Sequence, residues 1–141
     1  MTDSTTPKRG IDLLRDPRLN KGTAFTVEQR RALGIEGLLP DVLSSYETQL
    51  HRAELHLDSM STDMERYVYF SDLQERNEDL FYRVLMHDPV KYMPIVYTPT
   101  VGAACQQYGR WYRRPKGLWV SRNHRGRIAE VLRNWHVMDV R

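Results

Sequence analysis

One tyrosine stands directly before a predicted helix start, an arrangement that could support proton transfer. Tyr97 ends the short apolar run that begins at Met93, and it is followed by Thr98, Pro99 and Thr100. A threonine is a favourable N-cap, a proline suits the first helical position, and a second threonine can bond an amide of the first turn. The unpaired amides and partial positive charge of such a turn could bind an anion and orient the phenol.

The phenol of Tyr97 has two interpretations that this spacing leaves open. A tyrosine, with an unperturbed pKa of about 10, can act as a general acid when it is held against a developing carbanion. The commoner role is structural, that of a half-buried tyrosine whose hydroxyl bonds a backbone carbonyl. Choosing between the two requires more of the sequence.

A second group of residues combines positive charge with aromatic rings. Residues 110–127 contain no acidic residue, and Trp111, Tyr112 and Trp119 lie among the bases. Such a surface attracts anions, whether dicarboxylates, phosphates or nucleic acid. We disfavour nucleic acid, because the chain has no RNA-binding signature and its five histidines lack zinc-finger spacing. The bases are Arg110, Arg113, Arg114, Lys116, Arg122, Arg125 and Arg127.

Other residue types that often carry chemistry have ordinary explanations here. His51 and His56 are five residues apart, so on a helix they point to different faces rather than to one metal. Cys105 is the only cysteine, which excludes a disulfide or a cysteine-based zinc site within the chain. The glycines never take the G-x-G-x-x-G spacing, and the acidic residues show no hard-metal cluster. We expect no cofactor-binding or metal-binding residue in this chain.

Length and composition are those of one soluble, globular domain. The chain has 141 residues, of which 40% are hydrophobic and 28% are charged, and its net charge is +3. No apolar run approaches the roughly 20 residues that span a bilayer, and the N-terminus lacks the apolar segment of a secretory signal. Together with the single cysteine, these features predict a cytoplasmic protein with no membrane partner.

Capping motifs and hydrophobic periodicity predict a mainly α-helical chain. Thr26-Val-Glu-Gln29 and Thr62-Asp-Met-Glu65 have capping-box spacing, and Gly34 closes the first of these helices. An apolar stripe predicts a helix over residues 41–60, and a second helical stretch follows residue 62 and ends before Pro89. The remaining predictions are strands at residues 93–97, 118–120 and 136–141, and helices at residues 99–111 and 127–135.

Five sequence blocks occur in an order that is typical of one family. Leu19-Asn-Lys-Gly-Thr-Ala-Phe-Thr26 and Gly37-Leu-Leu-Pro40 come first, followed by Gln74-Glu-Arg-Asn-Glu-Asp-Leu-Phe-Tyr82. Met93-Pro-Ile-Val-Tyr-Thr-Pro-Thr-Val-Gly102 and Arg114-Pro-Lys-Gly-Leu118 continue the series. In these blocks the chain resembles the malic enzymes, the NAD(P)-dependent decarboxylating malate dehydrogenases, over nearly its whole length.

The resemblance implies a catalytic role for Tyr97. Malic enzymes oxidise malate to oxaloacetate and decarboxylate it, and the tyrosine of this motif protonates the carbon of enolpyruvate. The intact enzyme would use NAD or NADP with Mg²⁺ or Mn²⁺, would act on malate to give pyruvate, and would form a homo-oligomer. The family's general-base lysine, metal ligands and dinucleotide-binding domain match no part of this chain. We therefore expect the isolated chain to be inactive and to bind no cofactor.

The resemblance also suggests a pair of allosteric residues. Some animal malic enzymes bind the activator fumarate with arginines at positions that match Arg52 and Arg76. Two guanidinium groups can chelate a dicarboxylate, although a helix arginine is more often solvated or paired with a neighbouring acid. The sequence leaves the substrate-binding residues unknown.

The sequence therefore predicts the helical N-terminal portion of a malic enzyme. Residues 1–9 are expected to form a disordered tail, residues 10–115 the helical domain, and residues 116–141 the start of an α/β substrate domain. The alternative is a stand-alone, non-catalytic module that binds a dicarboxylate or mediates oligomerisation.

Overall fold

Helices joined by short turns make up the computed structural model, which describes residues 7–112, 114 and 117–135. No strand occurs among those residues, and the prediction of a mainly α-helical fold is confirmed. The helices are α1 (Gly10–Leu14), α2 (Val27–Leu33), α3 (Tyr46–Ser59), α4 (Asp63–Arg76), α5 (Glu78–His87), α6 (Pro89–Val96), α7 (Thr100–Gln106), α8 (Tyr108–Trp111) and α9 (Ile128–Arg133), with 3₁₀ turns at Gly22–Ala24 and Arg122–His124.

The chain divides into two units, Met1–Gln107 and Tyr108–Arg141, which we call unit 1 and unit 2. In unit 1, helices α3 to α7 pack around one apolar core, and a smaller core lies between α1 and the loops that flank α2. The main core contains Ala53, Leu57, Phe70, Leu73, Leu80, Phe81, Val84, Tyr92 and Ile95, and the smaller one contains Leu13, Phe25 and Ile35.

The helix starts follow the capping signals of the sequence. Thr26 and Thr62 both form complete capping boxes, in which the threonine accepts from an amide and the glutamine or glutamate returns a bond. Gly34 ends α2 with a left-handed φ of 67°, a conformation that costs a glycine little. These predictions are confirmed.

The long helical stretch predicted after residue 62 is divided at Asn77. The Asn77 side chain accepts a hydrogen bond from the Leu80 amide at 3.0 Å and so starts α5, while its own amide donates to Leu73 O at 2.8 Å and ends α4. An asparagine competes for backbone hydrogen bonds in this way, which makes it a poor interior helix residue and a good cap. The break lets α5 fold back on α4 and α3.

Two arginines in unit 1 stabilise interhelical segments by donating hydrogen bonds to backbone carbonyls. Arg30 is buried and donates to the carbonyl oxygens of Phe25 at 3.1 Å, Pro40 at 2.7 Å and Val42 at 3.1 Å. Arg66, on α4, donates to two carbonyls at the end of α3, that of Leu57 at 3.1 Å and that of Met60 at 2.6 Å. Each guanidinium therefore ties together backbone carbonyls in a loop or at a helix end, where regular helix hydrogen bonds are incomplete.

The strand predicted at Met93–Tyr97 is wrong, because residues 89–96 form helix α6. Asp88 caps this helix by accepting from the Lys91 amide at 3.0 Å, and Pro89 occupies its first turn. Tyr92 and Ile95, three residues apart, are the positions that reach the core. Pro94 lies on the exposed side, where the Val90 carbonyl that loses its partner can bond water.

Unit 2 contains α8, α9 and a turn between them. The helix predicted over residues 127–135 is confirmed as α9, whereas residues 118–120 have no regular secondary structure, so that strand prediction is wrong. The strand predicted at residues 136–141 lies outside the described residues, as does most of the predicted tail. Within the described ranges, no helix has both the length and the apolar character needed to cross a membrane.

Candidate functional site

Tyr97 lies at the junction of two helices in unit 1. It is the residue that ends α6, and three residues later α7 begins at Thr100. The Tyr97 amide donates to Met93 O at 2.8 Å, and the Tyr97 carbonyl accepts from the Val101 amide at 3.0 Å. Both backbone groups of this residue are therefore fixed, one by each helix.

Buried residues on either side hold this junction in place. On α6, Tyr92 and Ile95 are 1% and 4% exposed, and on α7, Thr100 and Ala104 are 7% and 4% exposed. The spacing of four on α7 places its two buried residues on one face, against α4 and α6. The position of the Tyr97 backbone thus depends on the core of unit 1.

The first turn of α7 differs from the predicted anion site. No side chain caps this helix, and Pro99 rather than Thr98 occupies the N-cap position after a cis Thr98–Pro99 peptide. The Val101, Gly102 and Ala103 amides donate to the carbonyl oxygens of Tyr97 and Pro99 at 3.0–3.3 Å. Because these three amides are already bonded, the prediction of a first turn with unpaired amides is wrong.

The ring of Tyr97 is open to a ligand, whereas that of its neighbour on α6 is not. Tyr97 is 65% exposed. Burial raises the pKa of the Tyr92 phenol. The neighbouring Lys91 ammonium lowers this pKa but offsets only part of the rise. Lys91 itself bonds Asp58 at 2.6 Å, an interaction that raises the pKa of its ammonium. Of these two tyrosines, Tyr97 is the one that an external substrate could reach.

Arg52 and Arg76 each have an interaction of their own. Arg52, on α3, donates to the Ser44 hydroxyl at 3.3 Å, and Ser44 is buried. Arg76, at the end of α4, forms an ion pair with Asp72 at 2.9 Å, and its guanidinium carbon lies 5.8 Å from the Tyr69 ring centroid. No sequence signal indicated Ser44. A shared dicarboxylate site for the two arginines stays a prediction.

The described residues offer little to a metal ion or a dinucleotide. Within the described ranges, no group of three or more histidine, cysteine, aspartate or glutamate side chains is placed to hold a metal. The sequence also lacks the glycine pattern that cradles a pyrophosphate.

The comparisons with known proteins agree with the order of the sequence blocks. Residues 74–141 match the family model described as malic enzyme, N-terminal domain. The chain is 52% identical over 130 residues to the human NADP-dependent malic enzyme, covering 92% of this chain and 23% of the relative. The predicted resemblance to the malic enzymes is confirmed.

Two further relatives show how much of a malic enzyme this chain covers. The NADP-dependent malic enzyme of Anas platyrhynchos is 50% identical over 128 residues, which cover 91% of this chain and 23% of that protein. The mitochondrial NADP-dependent malic enzyme of Mus musculus is 51% identical over 128 residues, which cover 91% of this chain and 21% of that protein. The chain therefore spans less than a quarter of the length of these malic enzymes.

The prediction of a cytoplasmic location is wrong. The similar proteins include mitochondrial malic enzymes of mouse and human, at 51% and 50% identity. One cysteine and a composition typical of globular domains do not distinguish these compartments, so the inference from them had no basis.

Proposed function

We propose that this chain is the N-terminal portion of an NADP-dependent malic enzyme and that Tyr97 is its general acid. In the intact enzyme, malate and NADP⁺ would give pyruvate, CO₂ and NADPH. Tyr97 would donate its hydroxyl proton to the carbon of the enolpyruvate left by decarboxylation. Malate, pyruvate, a divalent metal and partner subunits would be bound with the help of polypeptide beyond this segment.

The observation that carries the proposal is the combination of a fixed backbone and an exposed ring at Tyr97. A general acid must be held within hydrogen-bond reach of its acceptor while remaining open to the substrate. The two backbone hydrogen bonds of Tyr97 and the buried residues of α6 and α7 provide the first condition, and its 65% exposure provides the second. Tyr92, whose ring lies in the core, does not meet the second condition.

The test replaces Tyr97 in a complete enzyme. Residues 1–141 would be joined to the remainder of the mouse NADP-dependent malic enzyme, which is 52% identical over the shared part. Tyr97→Phe removes only the hydroxyl and should lower kcat by on the order of 10²-fold or more, the usual loss for a positioned general acid. The KM for malate should change little, since the proton is transferred after binding.

The matched control is Tyr82→Phe, which removes a hydroxyl from another exposed tyrosine, on α5. It should leave kcat and KM at the values of the parent. A Tyr97→Phe enzyme with unchanged kcat would refute the catalytic role.

The isolated chain should behave differently from the joined enzyme. We expect the purified 141-residue protein to produce no NADPH from malate, NADP⁺ and Mg²⁺, because the described residues contain no group of metal ligands and the sequence lacks the G-x-G-x-x-G pattern. Calorimetric titration with fumarate or malate tests the alternative of a dicarboxylate-binding module. Saturable binding that is lost in both Arg52→Ala and Arg76→Ala would favour that module.

A further inference from the structure

Among the described residues of unit 1, two polar links join helix α3 to the corner between α5 and α6. Glu54 Oε1 lies 2.5 Å from Nδ1 of His87, the last residue of α5. Asp58 Oδ1 accepts a hydrogen bond at 2.6 Å from Nζ of Lys91, which lies in the first turn of α6. Glu54 and Asp58 are four residues apart, so both lie on one face of α3. We call these two contacts the α3 links.

The second α3 link is connected to the core of unit 1. The Lys91 ammonium also bonds the hydroxyl of Tyr92, and it lies 5.1 Å from the centroid of that ring. Tyr92 is 1% exposed, and its ring packs 5.4 Å from that of Phe70. Lys91 therefore joins a carboxylate of α3 to a buried side chain of α6.

Helix α6 depends on contacts with other elements for its direction. It has eight residues, and Pro94 lacks the amide that would bond the Val90 carbonyl. A helix this short gains most of its stability from tertiary packing rather than from its own hydrogen bonds. Tyr92 and Ile95 pack in the core on one side of α6, and the α3 links hold the start of this helix.

The length of α6 makes the position of Tyr97 sensitive to the direction of this helix. Tyr97 lies six residues after Lys91, which corresponds to roughly 9 Å along a helix axis. A tilt of about 5° at the first turn would therefore move residue 97 by roughly 0.8 Å. Misplacing a catalytic group by about 1 Å can lower a rate on the order of 10²-fold. A contact that contributes little to stability can thus have a large effect on catalysis.

We propose that Glu54 and Asp58 are positioning residues for Tyr97, which they hold in place through His87 and Lys91 at the start of α6. Asp58 and Lys91 are 56% and 44% exposed, and ion pairs so exposed contribute little to the free energy of unfolding. Their role is therefore one of position. The effect on catalysis rests on the proposed function of Tyr97, whereas the effect on α6 does not.

The first measurement is the kinetics of Asp58→Asn in the joined enzyme described above. This change keeps the size of the side chain and removes its charge. We expect kcat to fall on the order of tenfold, because the general acid is displaced. The KM for malate should stay within about twofold of the parent value. The Tm should fall by no more than about 4 °C, as expected for an exposed ion pair. An unchanged kcat, in an enzyme whose kcat Tyr97→Phe lowers, would overturn the inference.

A matched pair of substitutions tests the first α3 link. Glu54→Gln should lower kcat in the same direction as Asp58→Asn, with a similarly small change in Tm. Glu36→Gln makes the same chemical change in an exposed pair with Arg31, whose atoms are 3.3 Å apart, and should leave kcat unchanged. Equal kcat values for the two glutamine variants would remove Glu54 from the proposal.

Exchanging the two partners tests the Asp58–Lys91 pair itself. Asp58→Lys alone should lower kcat at least as much as Asp58→Asn, because it places two cations together. Adding Lys91→Asp restores an ion pair and should recover most of the lost kcat. The exchanged charges suit both helices, since a cation is favourable in the last turn of α3 and an anion in the first turn of α6. A kcat that the exchange does not recover would overturn the role of the pair.

Hydrogen exchange at the Tyr97 amide, followed by NMR in the 141-residue chain, reports on position without catalysis. This amide donates to Met93 O at 2.8 Å at the end of α6. In the Asp58→Asn chain it should exchange faster, and by a larger factor than the amides at the centre of α4, because the change loosens α6 locally. Equal factors at both places would indicate a global loss of stability and would overturn the inference.

The two readouts separate this inference from the proposed function. A Tyr97→Phe enzyme with an unchanged kcat would refute the proposed function. Faster exchange at the Tyr97 amide in the Asp58→Asn chain, with slower exchange restored by the Asp58→Lys, Lys91→Asp combination, would still support the α3 links as the contacts that hold this residue.

Discussion

At the scale of single residues, unit 1 contains a buried side chain that holds the backbone and a tyrosine whose ring is exposed. Arg30 is 5% exposed, and its guanidinium donates hydrogen bonds to three backbone carbonyls, which fix its position from several directions. Tyr97 has the opposite arrangement, with a fixed backbone and a free ring. Residue type alone did not distinguish these roles, because arginine and tyrosine serve both.

Arg30→Lys tests whether the guanidinium acts through its geometry rather than its charge. A lysine keeps the charge, but one ammonium cannot reach carbonyls that lie on both the Nε and the Nη sides of the guanidinium. We expect a loss of about 2–4 kcal/mol in the free energy of unfolding, since buried carbonyls would lose their partners. Urea unfolding followed by far-UV circular dichroism measures it.

The neighbouring residue provides the control for this substitution. Arg31 is exposed and pairs with Glu36 at 3.3 Å, so Arg31→Lys should change the free energy of unfolding by no more than about 0.5 kcal/mol. Equal effects of the two substitutions would mean that the carbonyl contacts of Arg30 contribute nothing beyond charge.

At the scale of elements, local signals in the sequence predicted local structure. The capping boxes at Thr26 and Thr62 and the glycine at the end of α2 depend on contacts between residues three or four apart, which a sequence displays directly. The apolar stripe through Ala53 and Leu57 predicted α3, although the helix starts five residues later than expected, at Tyr46. Caps determined the boundaries better than periodicity did.

Helix α6 shows where such reasoning failed. The β-branched residues Ile95 and Val96 favour a strand, and Pro94 is unfavourable inside a helix. The helix forms because Tyr92 and Ile95 are both buried against α4 and α5, which is a tertiary contact that local propensity does not contain. The surroundings of Tyr97 could therefore not be predicted, although the residue itself was indicated.

The Thr62 capping box gives a prediction at this scale. Thr62→Ala removes the oxygen that accepts from the Glu65 amide at 3.2 Å and should lower the free energy of unfolding by about 1 kcal/mol. Thr62→Ser keeps a hydroxyl at the same place and should recover most of that loss. Thermal unfolding of the two variants beside the parent measures the difference. If serine were as destabilising as alanine, the cap would not be the source of the stability.

At the scale of the whole molecule, the two units differ in the basis of their stability. Unit 1 buries aromatic and aliphatic side chains from four consecutive helices, α3 to α6. They include Phe70, whose ring lies 5.4 Å from that of Tyr92 and 5.8 Å from that of Phe81. Unit 2 has no comparable core among its described residues. Burial of apolar surface is the main favourable term in folding, so unit 1 should hold its structure without help from unit 2.

Hydrogen exchange measured by mass spectrometry distinguishes the units in one experiment. In the free chain, amides of α4 and α5 should exchange through global unfolding, whereas those of α9 should exchange through local opening with little protection.

Phe70→Ala removes the ring at the centre of the core and should lower protection throughout α3 to α7 by about 3–5 kcal/mol. Protection of α9 should not change, because its opening does not depend on that core. A joint loss of protection in α4 and α9 would show that the two units unfold together and would contradict this prediction.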